Sequence, residues 1–277
     1  MGEVMSVGGA DLNIGVNVLG ELCSLNHKKD ELMWGGGRPE SLKTDKDRVS
    51  GGWDWSSPNM FPLIGPPLGD VPEQYIILAG KLYDMMQHGF LRHMRPKIQL
   101  EESDSILSRV SYDGNGFMKP GLTSNFPNQF TFSQRFQVRD GTVHVDSSIN
   151  NDGNRTLSYA YGLHPAFYAL QDGVISCGKE TFTLGDVLEA GTLFLPESDT
   201  VTYHNDARSI EVQHNLGHTW VWAQKVSNGQ VPLVCVEPVT GIAEKIDDKY
   251  IGKWKTHRLP PGSVKEFSVL ITPRIVT

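Results

Sequence analysis

Apolar and polar side chains alternate along several stretches of the chain. FTFSQRFQV (130–138), GTVHVDSSIN (141–150) and LVCVEPV (233–239) combine this alternation with β-branched and aromatic residues. A period of two places every second side chain on the same face of a strand, so these stretches predict half-buried or buried β-strands. Further stretches with the same character are IQLEESDSILSRVSY (98–112), TLFLPESDTVTY (192–203), TWVWAQKV (219–226) and EFSVLITPRIV (266–276).

Turn signals separate these stretches at short intervals. Examples are DGNG (113–116), RDGT (139–142), NNDGN (150–154) and SNGQ (227–230), whose Gly, Asn and Asp residues tolerate the backbone conformations of tight turns. Helical periodicity is nearly absent. Many short strands without βαβ alternation predict an all-β antiparallel sandwich or barrel, and such folds reach 277 residues as one domain. Since no linker divides the sequence, we expect a single domain over residues 1–277.

One connection differs from the others in length and composition. Residues 35–60, GGGRPESLKTDKDRVSGGWDWSSPNM, are polar and glycine-rich, and long connections of this kind in compact domains are usually functional or mobile. Trp53 and Trp55 lie near its end. Trp53 either offers an indole face to a sugar or anchors the segment to the core, and the sequence favours the second reading because Trp is highly buried on average.

Composition narrows the classes of partner. With 32 acidic against 25 basic residues and no long basic run, the chain lacks the electrostatic footprint of a nucleic-acid-binding protein. Its apolar runs fall well short of the roughly 18 residues that a membrane span requires, and its start lacks a basic n-region followed by an apolar core. We therefore expect a cytoplasmic protein with a small-molecule partner, as a monomer or homodimer.

Motifs for cofactors and metals are missing. The dinucleotide, phosphate-loop, zinc-protease and calcium-loop patterns do not occur in a supporting context. Cys23, Cys177 and Cys235 are far apart and show no CxxC spacing, so they are interpreted as small buried hydrophobes or free thiols. The sequence predicts neither a cofactor nor a metal.

Three blocks combine ionisable groups with apolar surroundings: QHGFLRH (87–93), YGLHPAF (161–167) and VCVEPVTG (234–241). Glu237 follows an apolar run, where a carboxylate is costly to bury unless it is paired, and burial raises a carboxyl pKa toward that of a general base. The alternative is a strand-end glutamate that points outward.

The histidines and the arginine of these blocks also have two readings. His88 and His164 could transfer protons, since histidine titrates nearest neutrality, or they could be hydrogen-bonded core residues. Arg92 could bind a substrate oxygen or Glu237 through its forked guanidinium, or it could be an ordinary surface arginine. The residues alone leave these alternatives open.

Taken together, six blocks resemble the aldose 1-epimerase (galactose mutarotase-like) superfamily, most closely its bacterial LacX-type members. The resemblance runs from Leu32 to the end of the chain. The blocks are MFPLIGPPLGD (60–70), QHGFLRH (87–93), FPNQF (126–130), YGLHPAF (161–167), VCVEPVTG (234–241) and LPPGSVKEFSV (259–269). Six blocks in this order are far more specific than any one of them.

The resemblance implies an all-β supersandwich that binds a sugar and uses no cofactor. It assigns the general acid to His164 and the general base to Glu237, and it places His88, Arg92 and Trp53 in the sugar-binding site. The implied activity is that of a mutarotase, which exchanges the α and β anomers of a hexose. A carboxylate beside His164 is then expected to keep its imidazole charged near neutral pH.

Departures from the family pattern lie around the expected pocket. Pro66 stands where relatives often have arginine, and Leu91 and His93 differ from the usual HGFARD, so the substrate can differ while the chemistry is kept. Two alternatives remain. One is a hexose-6-phosphate 1-epimerase, for which Arg38, Arg92 and Arg95 are candidate phosphate ligands. The other is a non-catalytic carbohydrate-binding module on the same fold.

Overall fold

Antiparallel sheets dominate the computed structural model of the chain. It describes residues 4–34, 56–62, 64, 75–78, 81–84, 88–101, 104–119, 122–124, 126–224, 232–241, 243–244, 253–254 and 257–276. Strands of the first half are β1 (Met5–Gly8), β2 (Leu12–Val16), β3 (Leu22–His27), β4 (Asp30–Glu31), β5 (Asn59–Met60), β6 (Tyr75–Leu78), β7 (Lys81–Asp84), β8 (Lys97–Glu101), β9 (Ser105–Tyr112), β10 (Phe117–Lys119), β11 (Leu122–Ser124) and β12 (Phe130–Arg139).

The second half continues in the same way. Its strands are β13 (Thr142–Asn151), β14 (Leu157–Tyr159), β15 (Gly162–Leu163), β16 (Ala166–Tyr168), β17 (Val174–Cys177), β18 (Glu180–Thr183), β19 (Leu193–Leu195), β20 (Thr200–His204), β21 (Arg208–His214), β22 (His218–Gln224), β23 (Leu233–Val239), β24 (Ala243–Glu244), β25 (Lys253–Trp254), β26 (His257–Leu259) and β27 (Val264–Ile275). A short helix, α1 (Leu184–Ala190), and a 3-10 turn, Leu91–His93, interrupt them. No helix in the described part of the chain has the length and apolar character that a bilayer crossing requires.

Two sheets form the sandwich. Within the described residues the larger sheet has nine strands in the order β18-β17-β20-β21-β27-β13-β12-β9-β8, and the smaller has the order β19-β22-β23-β15-β5, with β16 also paired to β23. A third sheet, β1-β2-β3-β4, packs through β1 and β2 against β12. The all-β antiparallel prediction is confirmed.

Strand β12 shows how the alternation produces the core. Phe130, Phe132 and Phe136 point from one face and are buried, while Arg135 and Arg139 on the other face are exposed. Buried side chains of β27 and of the smaller sheet pack into the same hydrophobic core. Aromatic rings close the gap between the sheets: Phe132–Tyr161 (5.7 Å between ring centroids) and Tyr161–Phe267 (4.8 Å).

The turn prediction at residues 139–142 is confirmed by the hairpin between β12 and β13. Arg139 pairs with Thr142, and the two residues between them, Asp140 and Gly141, have φ values of 49° and 72°. Positive φ at both central residues matches the twist of the flanking strands, and Asp-Gly adopts it readily. The predicted strands at 130–138 and 141–150 therefore join as one ladder.

Two predicted stretches each contain two strands. Residues 98–112 divide into β8 and β9, and residues 192–203 divide into β19 and β20. In the second case the division matters, because β19 belongs to the smaller sheet and β20 to the larger one. Alternation alone does not show where a chain crosses between sheets.

Candidate active site

His164 lies where the chain passes from one short strand to another against the middle of β23. β15 pairs with β23 at Gly162, and β16 pairs with it from Ala166 onward. Between them, the His164 amide donates to the Pro58 carbonyl (3.1 Å) and the Pro165 carbonyl accepts from the Val236 amide (3.2 Å). These bonds fix the imidazole over β23.

Glu237 lies on that part of β23, with its side chain on the face toward His164. The distance from His164 Nε2 to Glu237 Oε1 is 3.3 Å, and the two residues are only 4% and 2% exposed. Glu237 is therefore buried, and the outward-pointing alternative is wrong. Two residues 73 positions apart in the sequence, as their numbers show, share one small space.

Burial disfavours the charged form of both His164 and Glu237. It raises the pKa of Glu237 well above its ordinary value. It also lowers the pKa of His164 well below its ordinary value, helped by the nearby His88 and by the positive charge of Arg92. The expectation that the neighbouring carboxylate keeps His164 charged near neutral pH is therefore wrong: burial favours the uncharged pair, with the proton on Glu237.

The HGF block reaches this place because it is bonded to the FP block. The Phe61 amide donates to the His88 carbonyl (3.0 Å), and the Leu91 amide donates to the Phe61 carbonyl (3.2 Å). Gly89 has φ +71°, and a Cβ there would lie 2.1 Å from the Phe61 oxygen. Only glycine permits this close approach, so the backbone requires the glycine between His88 and Phe90.

His88 stands beside His164. Their rings are 5.3 Å apart between centroids and nearly perpendicular, at 83°. Burial, with a further contribution from the charge of Arg92, lowers the pKa of His88 to about 3. His88 is therefore a neutral hydrogen-bonding group, while Arg92, partly buried in the 3-10 turn, supplies the positive charge near both imidazoles. The structure brings His88, Arg92, His164 and Glu237 together.

Cys235 is a neighbour of the pair that the sequence analysis treated only as a buried thiol. It lies two residues before Glu237 on the same strand face, and burial, together with the Glu237 carboxylate, raises its pKa well above the ordinary value. The donor atoms of His164, Cys235 and Glu237 all lie within 4.8 Å of one another. The signal was the even spacing in Cys-Val-Glu, which places both side chains on one face of a strand.

A row of aromatic side chains extends across the same face of the smaller sheet. Trp220 pairs in register with Glu237, and Trp222 pairs with Cys235. Directly paired residues share a face, and both tryptophans are partly buried. Phe194, opposite Trp220, and Tyr168, on β16, extend the row.

Trp34 ends this row. Its ring meets that of Tyr168 edge-on at 5.2 Å between centroids, and its amide donates to the Ala166 carbonyl (2.9 Å). These aromatic residues were not predicted as binding candidates, although Trp-Val-Trp at 220–222 carries the period of two that displays both indoles on one face. Trp53, the aromatic contact that the family resemblance implies, lies outside the described residues, as do the other residues of the long connection from 35 to 55.

Buried amides support the strand that carries the HP block. Asn59 and Gln134 form a reciprocal amide pair with N···O distances of 2.9 and 3.0 Å. Tyr161 OH donates to Asn59 Oδ1 (3.1 Å) and lies 2.8 Å from Ser147 Oγ. Because Asn59 pairs with Leu163, this network joins the larger sheet to the residue next to His164.

Comparison with known proteins identifies the fold. No protein-family model matches the sequence, and no curated protein shows significant similarity to it. Solved structures do match. A galactose mutarotase-related enzyme from Lactobacillus acidophilus has a TM-score of 0.78 at 17% identity, covering 99% of this chain and 98% of that one.

Two further structures agree with this result. A galactose mutarotase-like protein from Lactobacillus casei has a TM-score of 0.75 at 20% identity, covering 98% and 100% of the two chains. An aldose epimerase homologue from Caenorhabditis elegans has a TM-score of 0.66 at 10% identity, covering 100% of both. The chain thus has the galactose mutarotase-like sandwich fold.

Proposed function

We propose that the chain is an aldose 1-epimerase that exchanges the α and β anomers of a hexose, with Glu237 as base and His164 as acid. The observation that carries the proposal is the 3.3 Å contact between their side chains in a buried site. The fold supports it, since the structural neighbours are described as mutarotase-like or aldose epimerase proteins. Within that superfamily, the LacX-type bacterial members are the ones that the six blocks resemble.

The 3.3 Å distance between His164 Nε2 and Glu237 Oε1 suits this reaction. In a cyclic hexose the anomeric hydroxyl and the ring oxygen are bonded to the same carbon, so two groups that serve them must themselves be near neighbours. Glu237 takes the proton of the anomeric hydroxyl, His164 gives a proton to the ring oxygen, and the bond from the anomeric carbon to the ring oxygen breaks. The carbonyl group turns over, and the ring closes with both transfers reversed, which yields the other anomer.

The proton carried by the pair changes place during this cycle. While the ring is closed, His164 must hold it; once the ring is open, Glu237 holds it and both groups are uncharged. Burial favours this uncharged arrangement, as the pKa directions of the two groups show. In the closed complex the proton must first pass from Glu237 to His164, and ring opening then returns the pair to the uncharged arrangement that burial favours.

Neighbouring residues have binding roles in this proposal. His88, neutral because its pKa is about 3, hydrogen-bonds a sugar hydroxyl, and Arg92 offers several donors in fixed geometry. The aromatic row gives flat apolar surface to the face of the sugar ring, as in other small-molecule sites. Trp53 remains a proposed contact. We expect a cytoplasmic enzyme whose partner is a small carbohydrate.

The proposal is tested by polarimetry. Freshly dissolved α-glucose and α-galactose are followed with wild type, Glu237→Gln and His164→Asn, with the corresponding 6-phosphates as competitors. Each substitution should slow the exchange by about 100-fold or more, the usual contribution of a positioned acid or base. Equal rates in all three proteins would reject the enzyme, whereas sugar binding without exchange would indicate a carbohydrate-binding module. Strong competition by the 6-phosphates would indicate a hexose-6-phosphate 1-epimerase.

His214→Asn is the matched control. His214 is also a buried histidine, but it lies in β21 of the larger sheet. Its substitution should leave the exchange rate at the wild-type value. A loss equal to that of His164→Asn would show that the assay reports damage to the fold instead of chemistry.

A further inference from the structure

The acid and base pair has a sulfur neighbour for which the proposed epimerase reaction has no use. His164, Cys235 and Glu237 offer one nitrogen, one sulfur and one oxygen donor within 4.8 Å. All three are buried, and Cys235 forms no disulfide. The proposed anomer exchange moves no proton through this thiol.

The donor set fits a borderline metal ion. Zn²⁺ is bound in proteins by Cys sulfur, His nitrogen and Glu oxygen, and sites with three protein ligands leave a fourth position open. Tetrahedral bonds of about 2.0–2.1 Å to nitrogen and oxygen place those two ligand atoms roughly 3.3 Å apart. The observed His164 Nε2 to Glu237 Oε1 distance is 3.3 Å, so these two ligands already stand at the edge length that the ion requires.

Charge also favours such an ion in a buried place. One Zn²⁺, one thiolate and one carboxylate sum to zero, and the third ligand, His164, coordinates as a neutral imidazole. The positive charge of Arg92 therefore faces a neutral complex. Binding releases the proton of the Cys235 thiol, and the proton shared by the acid and base pair, to solvent.

We propose that His164, Cys235 and Glu237 form a reversible Zn²⁺ site, and that Zn²⁺ bound there inhibits anomer exchange. The ion takes the imidazole lone pair and the carboxylate oxygen through which a proton would pass, so the metal-bound form cannot exchange anomers. A water molecule fills the fourth position. Inhibition rests on the proposed epimerase function, whereas metal binding itself does not.

Cobalt spectroscopy tests the binding. Co²⁺ takes similar ligands to Zn²⁺, and a Co²⁺–thiolate bond absorbs in the near ultraviolet. Untagged full-length protein titrated with Co²⁺ should develop this band with one equivalent and lose it when Zn²⁺ is added. Mg²⁺, which prefers oxygen ligands, should not displace it.

Variants locate the site. The band should disappear in Cys235→Ser and Cys235→Ala, and in His164→Asn the affinity should fall by about 100-fold or more, since loss of even an outer partner of a metal ligand typically costs 10- to 100-fold. Cys23→Ser is the matched control: Cys23 is also a buried free thiol with nearby carboxylates, but it belongs to no comparable donor group among the described residues. Its variant should keep the band. No band in wild type, or a band that survives in both Cys235 variants, would overturn the proposal.

The inhibition is measured as a ratio of exchange rates with and without Zn²⁺. At a free Zn²⁺ concentration ten times the dissociation constant, about one site in eleven stays empty, so the wild-type rate should fall by about elevenfold. The ratio should stay near one for Cys235→Ser, whatever its own rate, and should be as in wild type for Cys23→Ser. Wild-type exchange that persists at saturating Zn²⁺ would overturn the inhibition. A protein that binds cobalt through Cys235 but exchanges no sugar would instead reject the epimerase function.

Discussion

Acid should destabilise the protein through His214, and the size of the effect follows from the hydrogen bonds of this residue. Its Nδ1 accepts from the Leu216 amide (3.2 Å), which leaves the ring proton on Nε2, 2.8 Å from Thr219 Oγ1. A second proton on Nδ1 would face an N–H donor. Burial, with a smaller effect of His218, lowers the pKa of His214 from 6.5 to about 4, although Asp199 opposes the shift.

The sign and magnitude follow from proton linkage. Because the folded-state pKa is depressed, the unfolded chain binds this proton first as the pH falls. Stability is therefore lost between pH 6.5 and about 4. At about 1.4 kcal/mol per pH unit, the loss from this one group is about 3 kcal/mol. Below that window His214 contributes nothing further to the pH dependence.

His214→Asn tests this reasoning, because Asn keeps an acceptor near the position of Nδ1 and does not titrate. Urea unfolding followed by tryptophan fluorescence at pH 7 and pH 4 gives the free energy of unfolding of both proteins. The difference between the two pH values should be about 3 kcal/mol smaller in the variant. Ser198→Ala is the control: Ser198 Oγ donates to Thr219 Oγ1 (3.0 Å), so its loss should cost about 1 kcal/mol at both pH values. If His214→Asn shows the wild-type pH dependence, the imidazole is not held neutral.

Three further predictions follow from the site. The pH profile of kcat/KM should be a broad plateau around neutrality, since one proton on the pair is retained between a lowered His164 pKa and a raised Glu237 pKa; an acid limb centred at or above 6.5 would contradict this. Trp222→Ala should raise KM about tenfold, or about 1.4 kcal/mol, with little change in kcat; an unchanged KM would remove the aromatic row from the binding site. Gln134→Leu should lower the free energy of unfolding by about 1–3 kcal/mol, because Asn59 and Tyr161 lose a buried partner; an unchanged urea midpoint would show that the amide network has no stabilising role.

Strand and turn positions could be predicted because they depend on neighbouring residues. The alternation in β12 and β13 and the Asp-Gly turn between them are local signals, and the structure confirms them. The N-terminal strands β1–β3 were missed, since glycine, asparagine and aspartate interrupt their apolar pattern. The assignment of β19 and β20 to different sheets depends on tertiary contacts that no local pattern encodes.

The candidate site divides in the same way. The resemblance identified His88, Arg92, His164 and Glu237, and the structure brings them together. The resemblance could not show that burial lowers the pKa of His164, since desolvation depends on what packs around the ring. Nor did spacing single out Cys235, whose importance comes from its distance to a histidine 71 positions away by their numbering. Trp53 was considered because it lies near the end of a long polar connection. Trp220 and Trp222 were overlooked because they lie on β22, and only the pairing of β22 with β23 shows that they stand beside Glu237 and Cys235.

Exchange between the α and β H1 signals of a hexose, measured by NMR saturation transfer, tests the acid and base pair most directly. The two groups pass one proton through a shared centre, so they act as a unit, and effects of such residues are far from additive. Glu237→Gln, His164→Asn and the double variant should therefore be slowed to a similar extent, each by about 100-fold or more. A double variant slowed by the product of the two single effects, or single variants that exchange at the wild-type rate, would contradict the assignment of Glu237 and His164 as one proton-transferring pair.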